Sequence, residues 1–430
     1  MRLRTIMLVC LAGVWAAASH AAPPTNAALV RAIDAYAKPL VERGDLSGQL
    51  LVLRNGETVL ERSYGFANRE LRVPVTPESR FCVASITKPM TMIIAIDQIG
   101  KKTIGYHDSI ARWLPDFPHG DSITIEHLLR HRSGIPHDIV PDSLATRPRG
   151  TAEMVALAAR LPLDFTPGSQ SSYSSGGFTV LARILEIASG KDYQTLLDEQ
   201  ICRPLGMKHT RHTDSIELLP DRVHAYVPGI HGIENARIED FSGLVGAGSV
   251  WSTARDIHTL VQGVVSGKLG TSSRASLVRR GVLEFSGRVT GFRSYADWDS
   301  ASGLEVVFIG NTLTGAGDAL RAAIPRLAAG EPVAALALPK LRTEPLSDAD
   351  LKRLEGDFKL GNGTLLRLRV HDGALWANEW LLQATQDGAF FSPRDYGLVR
   401  GIPGADGRIE RLDWTQNGEV YPAPRVAARR

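Results

Sequence analysis

Residues 48–65 read GQLLVLRNGETVLERSYG. Two β-rich runs flank Asn55-Gly56, the strongest short-range hairpin signal, because a tight two-residue turn needs positive φ values that Asn and Gly tolerate. An antiparallel pair therefore sits near the start of the chain. Before it, Leu29, Ile33, Tyr36, Ala37 and Leu40 recur at helical spacing over residues 26–43. After it, the stretch from Ser85 to Ile99 stays apolar through MTMIIAIDQI and predicts a helix closed by Gly100 as its C-cap. Residues 122–130 open a short helix, and 176–189 and 193–202 are amphipathic. Residues 252–266 start on Ser252-Thr253, a pair of N-cap candidates, and run helical to Gly267. Strand character returns in RSYADWD and in LEVVFIGN, residues 304–311. The order is helix, hairpin, a long helical middle, then strands. That is not a βαβα alternation, so a doubly wound parallel sheet is disfavoured; an α+β fold, with helices clustered against an antiparallel sheet, fits.

Residues 331–349 contain EPVAALALPKLRTEPLS, whose three prolines mark a linker. Beyond it the pattern changes to short strands and turns, so residues 350–425 are expected to form a small all-β module. Trp376, Trp380, Phe390, Phe391 and Trp414 are its expected core. If module and main domain touch only lightly, proteases should cut between about 331 and 350. The first residues are MRLR, then TIMLVCLAGVWAAA, then SHA: a charged region, an apolar region and a small-residue exit. Residues 1–21 therefore read as a signal peptide cut after Ala21, which implies a periplasmic or secreted protein. Cys10 lies within the apolar region behind Val9, so a lipoprotein cut is disfavoured. No other run reaches about 18 apolar residues, so no membrane span is expected.

The 430 residues are 43% apolar and 22% charged, which is ordinary for a chain with a real core. Lys and Arg number 49 against 46 acidic residues, a net of +3, and loss of Arg2 and Arg4 would leave about +1. With no basic stripe interleaved with aromatics, nucleic acid is excluded as a partner. Cys82 and Cys202 remain after the leader. One disulfide is conceivable in an oxidising compartment. A chain of this size needs no staple, and two separate core thiols are the expected arrangement.

There is no G-x-S-x-G, H-E-x-x-H, C-x-x-C or G-x-x-x-x-G-K-[ST]. One S-x-x-K is present, Ser85-Ile86-Thr87-Lys88. It is short enough to arise by chance, and alone it would be read as a capping serine with a surface lysine. Its placement says more. Pro89 is tolerated only near a helix start, so Ser85 sits at a helix N-terminus with Lys88 one turn on. There the helix dipole favours an alkoxide and the amine can take the serine proton. His127 and His131, four apart beside Glu126, could form a metal face, but no third ligand is identifiable, so no metal is expected. Met90 and Met92 are expected in the core.

Five stretches occur in order: SRFCVASITKPMTMIIAIDQI, SITIEHLLRHRSGIPH, FTPGSQSSYSSGGFTVLARILE, VGAGSVWSTARDI and FSGRVTGFRSY. In sequence and spacing they resemble the penicillin-recognising serine hydrolases, closest to the branch of class C β-lactamases, D-alanyl-D-alanine carboxypeptidases, D-aminopeptidases and related esterases. The likeness covers about residues 25–325 of the expected catalytic domain, residues 25–330. It implies a β-lactamase/transpeptidase-like antiparallel sheet flanked by helices; the tail loosely resembles appended lipocalin-like barrels. By the resemblance Ser85 is the nucleophile, Lys88 its activator and Tyr173 the tyrosine of a Tyr-x-Asn element. A phenol held near Lys88 would lose its proton below about 10 and act as a base. His131-Arg132-Ser133-Gly134 matches a structural turn.

Two positions depart from the pattern. Ser175 stands where the family has Asn, and Phe285-Ser286-Gly287 stands where it has Lys-Thr-Gly or His-x-Gly. Phe285 carries no charge, so the cation that assists a β-lactam carboxylate is missing from its usual place; by position Phe285 is still expected to line the substrate site with Ser175, Ser286, Gly287 and Arg288. Ser286 still offers a hydroxyl. The N–H groups of Arg288 and Ser85 would form the oxyanion site. The expected function is a serine hydrolase acting through an acyl-enzyme on a small-molecule ester, amide or peptide, of esterase or D-amino-acid amidase type rather than β-lactamase. No cofactor is needed. The rival is a non-catalytic penicillin-binding-like protein that keeps the fold and works through its tail.

Overall fold

The computed structural model describes residues 23–141, 145–230, 232–336, 338–405, 407–416 and 419–426. The signal peptide read at residues 1–21 lies outside the described residues.

The hairpin forms as read. Strands β1 (Gly48–Arg54) and β2 (Glu57–Tyr64) pair antiparallel, with φ of 54° at Asn55 and 81° at Gly56. They join β3 (Val282–Val289), β4 (Phe292–Asp299) and β5 (Leu304–Gly310) in the order β3-β4-β5-β1-β2. β1 and β5 are central and pair Gly48 with Gly310 through Arg54 with Leu304. β3 is an edge strand, which leaves one side of its backbone open to a partner other than the sheet.

Both faces of this sheet are covered, which is why LLVL and LEVVFIG read as unbroken apolar runs. Leu50, Val52, Val306 and Phe308 pack under helix α1 (Asn26–Glu42), with Leu29, Ile33 and Leu40, and under a helix of residues 316–328, with Leu320 and Ile324. Leu51, Leu53, Val307 and Ile309 face the larger core, shared with Ile86, Met90 and Ile93 of the segment leading into and through helix α2 (Thr87–Gly100) and with Phe178 and Leu181 of helix α3 (Ser175–Ser189). α2 ends one residue later than expected: Gly100 is its last residue and Lys101, in right-handed conformation, is the C-cap. Met90 is in the core as expected, and Met92 packs partly buried against it.

Cys82 and Cys202 are separate buried thiols, each pushed by burial up to about 12. No helix among the described residues is long and apolar enough to cross a membrane.

The tail folds into an eight-stranded antiparallel sheet, from Gly356–Lys359 to Glu419–Pro424, that nearly closes on itself. Its first and last strands meet where Val426 N–H donates to Asp357 O at 2.7 Å. The core is mainly aliphatic, with Leu351, Leu366, Leu368, Leu375, Leu382, Val399 and Leu412 around Phe358 and Phe390. Trp376 and Trp380 are not in that cluster, and Phe391 turns away toward the catalytic domain, where the Arg43 guanidinium lies 4.2 Å from its ring centre. Of the five expected core aromatics, Phe390 is in the cluster and Trp414 packs against it; Trp376, Trp380 and Phe391 are corrected.

The module is docked rather than tethered. Gln383 Nε2 donates to Gly229 O at 2.9 Å, Gly315 N–H donates to Pro393 O at 2.7 Å, and the Tyr396 hydroxyl donates to Asp45. A Cβ at Gly315 would meet Arg394 O at 2.5 Å, so this glycine permits the approach. Leu336 and Leu338 of the linker pack against the smaller core of the catalytic domain.

Candidate active site

Ser85 is presented by a strained elbow. Strand Phe81–Cys82 pairs with Val250–Ser252, and Val83 N–H donates to Val250 O at 2.9 Å. Ala84 then adopts φ of 50°, unusual for a residue with a Cβ, although its side chain is fully buried. A 3₁₀ turn over Ala84–Ile86 runs directly into α2. The nucleophile candidate thus sits at the helix entry, with Lys88 on its first turn.

Lys88 is 4% exposed. Its Nζ lies 3.1 Å from Ser85 Oγ, 3.2 Å from Ser175 Oγ and 2.9 Å from the Ala247 carbonyl oxygen. None of the three is a carboxylate. Burial therefore dominates and lowers the ammonium to about 7 from 10.5. At about 1.4 kcal/mol per pKa unit, the protonated form is penalised by on the order of 5 kcal/mol. Hydroxyls tie down the segment just before the Ala247 carbonyl: Thr91 Oγ1 donates to Gly246 O at 2.7 Å and Thr179 Oγ1 to Val245 O at 3.0 Å.

Tyr173 precedes α3, whose N-cap is Ser174, its Oγ accepting from Gly177 N–H at 2.8 Å. The tyrosine ring is half exposed, its hydroxyl bonds Ser85, and its ring centre lies 4.6 Å from Lys88 Nζ. Burial raises the phenol above 10, against a smaller lowering by the Ser85 hydrogen bond. The direction is opposite to the lowering expected from Lys88, because burial outweighs it.

The histidines orient this corner. His131 stacks on Tyr173 at 4.7 Å between ring centres, and its Nδ1 accepts from Ser174 N–H at 3.2 Å. Burial first, then the nearby Lys88, lowers it to about 4. His127 instead caps a short helix: Thr124 Oγ1 accepts from His127 N–H at 3.2 Å, and Thr124 N–H donates to His127 Nδ1. The described residues contain no group of three or more metal-ligating side chains.

Edge strand β3 passes the nucleophile at backbone contact. A Cβ on Gly287 would fall 2.2 Å from Val83 O, 2.5 Å from Ser294 Oγ and 3.0 Å from Ser85 N. Ser294 Oγ donates to Val83 O at 2.7 Å and fixes the elbow to the sheet. Arg293 NH1 donates to Ser286 Oγ at 2.9 Å, and both Arg293 and Arg288 pair with Asp318.

A cleft of about 840 Å³ brings together Ser85, Tyr173, Ser175, Ser286, Gly287 and Arg288. Phe285 is not with them. It is 4% exposed and packs in the larger core, because alternate residues of β3 face opposite sides and Ser286 takes the cleft side. The expectation that its ring lines the substrate pocket is corrected.

Three contributors carried no sequence signal. His137 lines the cleft and accepts from Ser175 N–H at 3.3 Å, yet in GIPH it has no partner at a telling spacing. The Ala247 carbonyl is backbone. Glu379 reaches the cleft from the module, more than two hundred residues beyond Tyr173.

Gly287→Ala should lower kcat/KM on a neutral aryl ester by about 10²-fold, the usual scale for losing an oxyanion donor, because the Val83 carbonyl cannot yield and β3 must move off Ser85. Kinetics and a melting curve check this; near-parental turnover in a folded variant would show that the close approach is dispensable.

An antiparallel sheet with a helix-entry serine, a dry lysine and a tyrosine at one cleft defines a β-lactamase-fold serine hydrolase. A model of the Beta-lactamase family matches residues 33–329, and the chain belongs to that family. The putative penicillin-binding protein PbpX of Bacillus subtilis is 30% identical over 52% of this chain and 56% of its own length. The chain spans about half to three-fifths of the curated relatives it matches first. The D-aminopeptidase of Brucella anthropi is 27% identical over 82% of this chain and 66% of its own. The crystal structure of SurE, at 22% identity, shares the fold over 94% of this chain and all of its own, with a TM-score of 0.60.

Proposed function

We propose that the protein cleaves small ester, amide or peptide substrates through an acyl-enzyme on Ser85. The observation that carries the reading is the buried Lys88 amine, within hydrogen-bond reach of Ser85 Oγ and without a carboxylate partner. A neutral amine has one lone pair and two N–H groups. It takes the Ser85 proton while donating to Ala247 O and Ser175 Oγ. Ser85 Oγ attacks the carbonyl carbon, and the N–H groups of Ser85 and Arg288 receive the oxyanion. Tyr173, still protonated, hands its proton to the leaving group and is reprotonated from Lys88. Water then attacks the acyl carbon, its proton passing to the amine and from there to Ser85 Oγ as the acyl bond breaks, which restores the free hydroxyl and the neutral amine. Ser175 replaces the amide of the family pattern with a single hydroxyl, engaged with Lys88.

Export, with a cut after Ala21, belongs to the same proposal and rests on residues 1–21 alone.

Substrate preference follows from β3. Arg288 is the cation on its cleft side, and Asp318 already answers its charge at 3.1 Å. A substrate carboxylate gains little there. Short p-nitrophenyl esters and amino-acid amides should therefore be turned over faster than nitrocefin, by about tenfold or more, since a charged hydrogen bond forgone is worth about 1.5–3 kcal/mol. Steady-state rates of the purified protein on this panel test it. Nitrocefin hydrolysis exceeding every ester and amide would overturn the preference, and no turnover together with no phosphonate labelling would overturn the hydrolase reading.

A further inference from the structure

The C-terminal module forms part of the catalytic cleft. Its strands Ala374–Ala377 and Trp380–Ala384 are joined by the two-residue turn Asn378-Glu379. Asn378, at φ 56°, is tied to the neighbouring strand: its N–H donates to Arg367 O at 2.8 Å, its Oδ1 accepts from Arg367 N–H at 3.0 Å, and its Nδ2 donates to Leu365 O at 3.2 Å. The turn is thereby held, and Glu379 lines the cleft with Ser85, Ser286 and Arg288. Behind it, Trp380 carries the Arg394 guanidinium on its ring face. Pro393, next along the chain, accepts from Gly315, and the helix beginning there presents Asp318 to Arg288. Contacts therefore connect the Glu379 turn to the strand beside the nucleophile.

The charges of the cleft are unevenly answered. Arg237 pairs with Glu239, whose carboxylate also accepts from Thr290 Oγ1 at 2.9 Å. Arg288 pairs with Asp318. Asp240 accepts from the N–H groups of Ser215 and Ser242. Each of these arginines has its carboxylate. Two acidic side chains remain facing the space: Asp138, 3.6 Å from His137 Nε2, and Glu379, which is exposed, feels the Arg394 guanidinium through space, and forms no hydrogen bond or ion pair with another described residue.

We propose that Glu379 is a substrate-binding residue supplied by the C-terminal module. Its carboxylate takes the ammonium group of an amine-bearing substrate: an amino-acid amide or ester, or a peptide at its amino end. The proposal rests on the hydrolase reading above and narrows its substrate class. The excess negative charge attracts a cation and repels a carboxylate, with an effect limited by the exposure of Glu379.

Matched pairs test it: alanine p-nitroanilide, in both enantiomers, with a free amine or an N-acetyl cap. Glu379→Gln should reduce the ratio of kcat/KM for free over capped substrate by about fivefold to tenfold, mostly through KM. Glu379→Asp should restore part of it, and added salt should shrink it in the parent. An unchanged ratio in Glu379→Gln overturns the proposal. A second readout needs no turnover. Calorimetry of phenylalanine amide binding to Ser85→Ala protein should show Kd weakened about fivefold to tenfold by adding Glu379→Gln; equal Kd values overturn the proposal. The hydrolase reading fails separately, if the parent cleaves neither anilide nor any ester and takes no phosphonate.

Discussion

A Ser85→Ala protein should lose at least about 10⁴-fold in kcat/KM on every ester or amide that the parent cleaves, and should take up no phosphonate label. The size follows from the chemistry, since without Oγ there is no atom to carry the acyl group. Stability should change little, within about 1 kcal/mol. The 3₁₀ turn at Ala84–Ile86 uses no side-chain cap, and Lys88 keeps Ser175 and Ala247 as partners when the hydroxyl is gone. Mass spectrometry after phosphonate treatment and a melting curve suffice. Full labelling of a folded mutant would move the nucleophile elsewhere.

Lys88→Met should cost about 10³-fold or more while keeping the length of the side chain. The parent should show an acid limb in kcat/KM with an apparent pKa near 7, because only the neutral amine accepts the Ser85 proton and Lys88 is lowered to about 7. Activity therefore falls as the pH drops through 7, and the limb should vanish with Lys88. Lys88 and Tyr173 converge on Ser85, so Tyr173→Phe added to Lys88→Met should cost little more. Additive losses, or a rate flat down to pH 5, would count against the relay. The same shift has a thermodynamic sign. Folding disfavours the ammonium, so the burial cost is complete below pH 7. It fades as the pH rises toward 10.5, the ordinary lysine value, and stability should rise across that window.

Much of this site was legible in the residues. Asn55-Gly56 placed the hairpin, and Pro89 placed Ser85 at a helix entry, because each constrains its own backbone. What sequence misjudged depends on neighbours far along the chain. Motif position alone put Phe285 at the pocket; the pleat of β3 turns its ring into the core and leaves Ser286 outside. Tyr173 was expected to lose its proton below its ordinary value because Lys88 is near it, but burial raises the phenol and lowers the lysine, which only a three-dimensional enclosure can impose. Glu379 sits in a polar turn of a distant module, and nothing local separates it from any other surface acid.

The way Pro393, Tyr396 and Gln383 grip the catalytic domain bears on how such a protein can be cut or recombined. The family-matched segment, residues 33–329, ends before the module whose contacts it shares. Excised alone, it would bare the faces that Phe391 and the linker leucines cover, and its cleft would lose Glu379 from its lining. Conversely, grafting a different barrel at the same seam would exchange whatever side chain stands at the tip of the Asn378-Glu379 turn without touching Ser85, Lys88 or Tyr173. On the proposed reading, such an exchange would retune the charge at the rim of the cleft while leaving the nucleophile cluster in place.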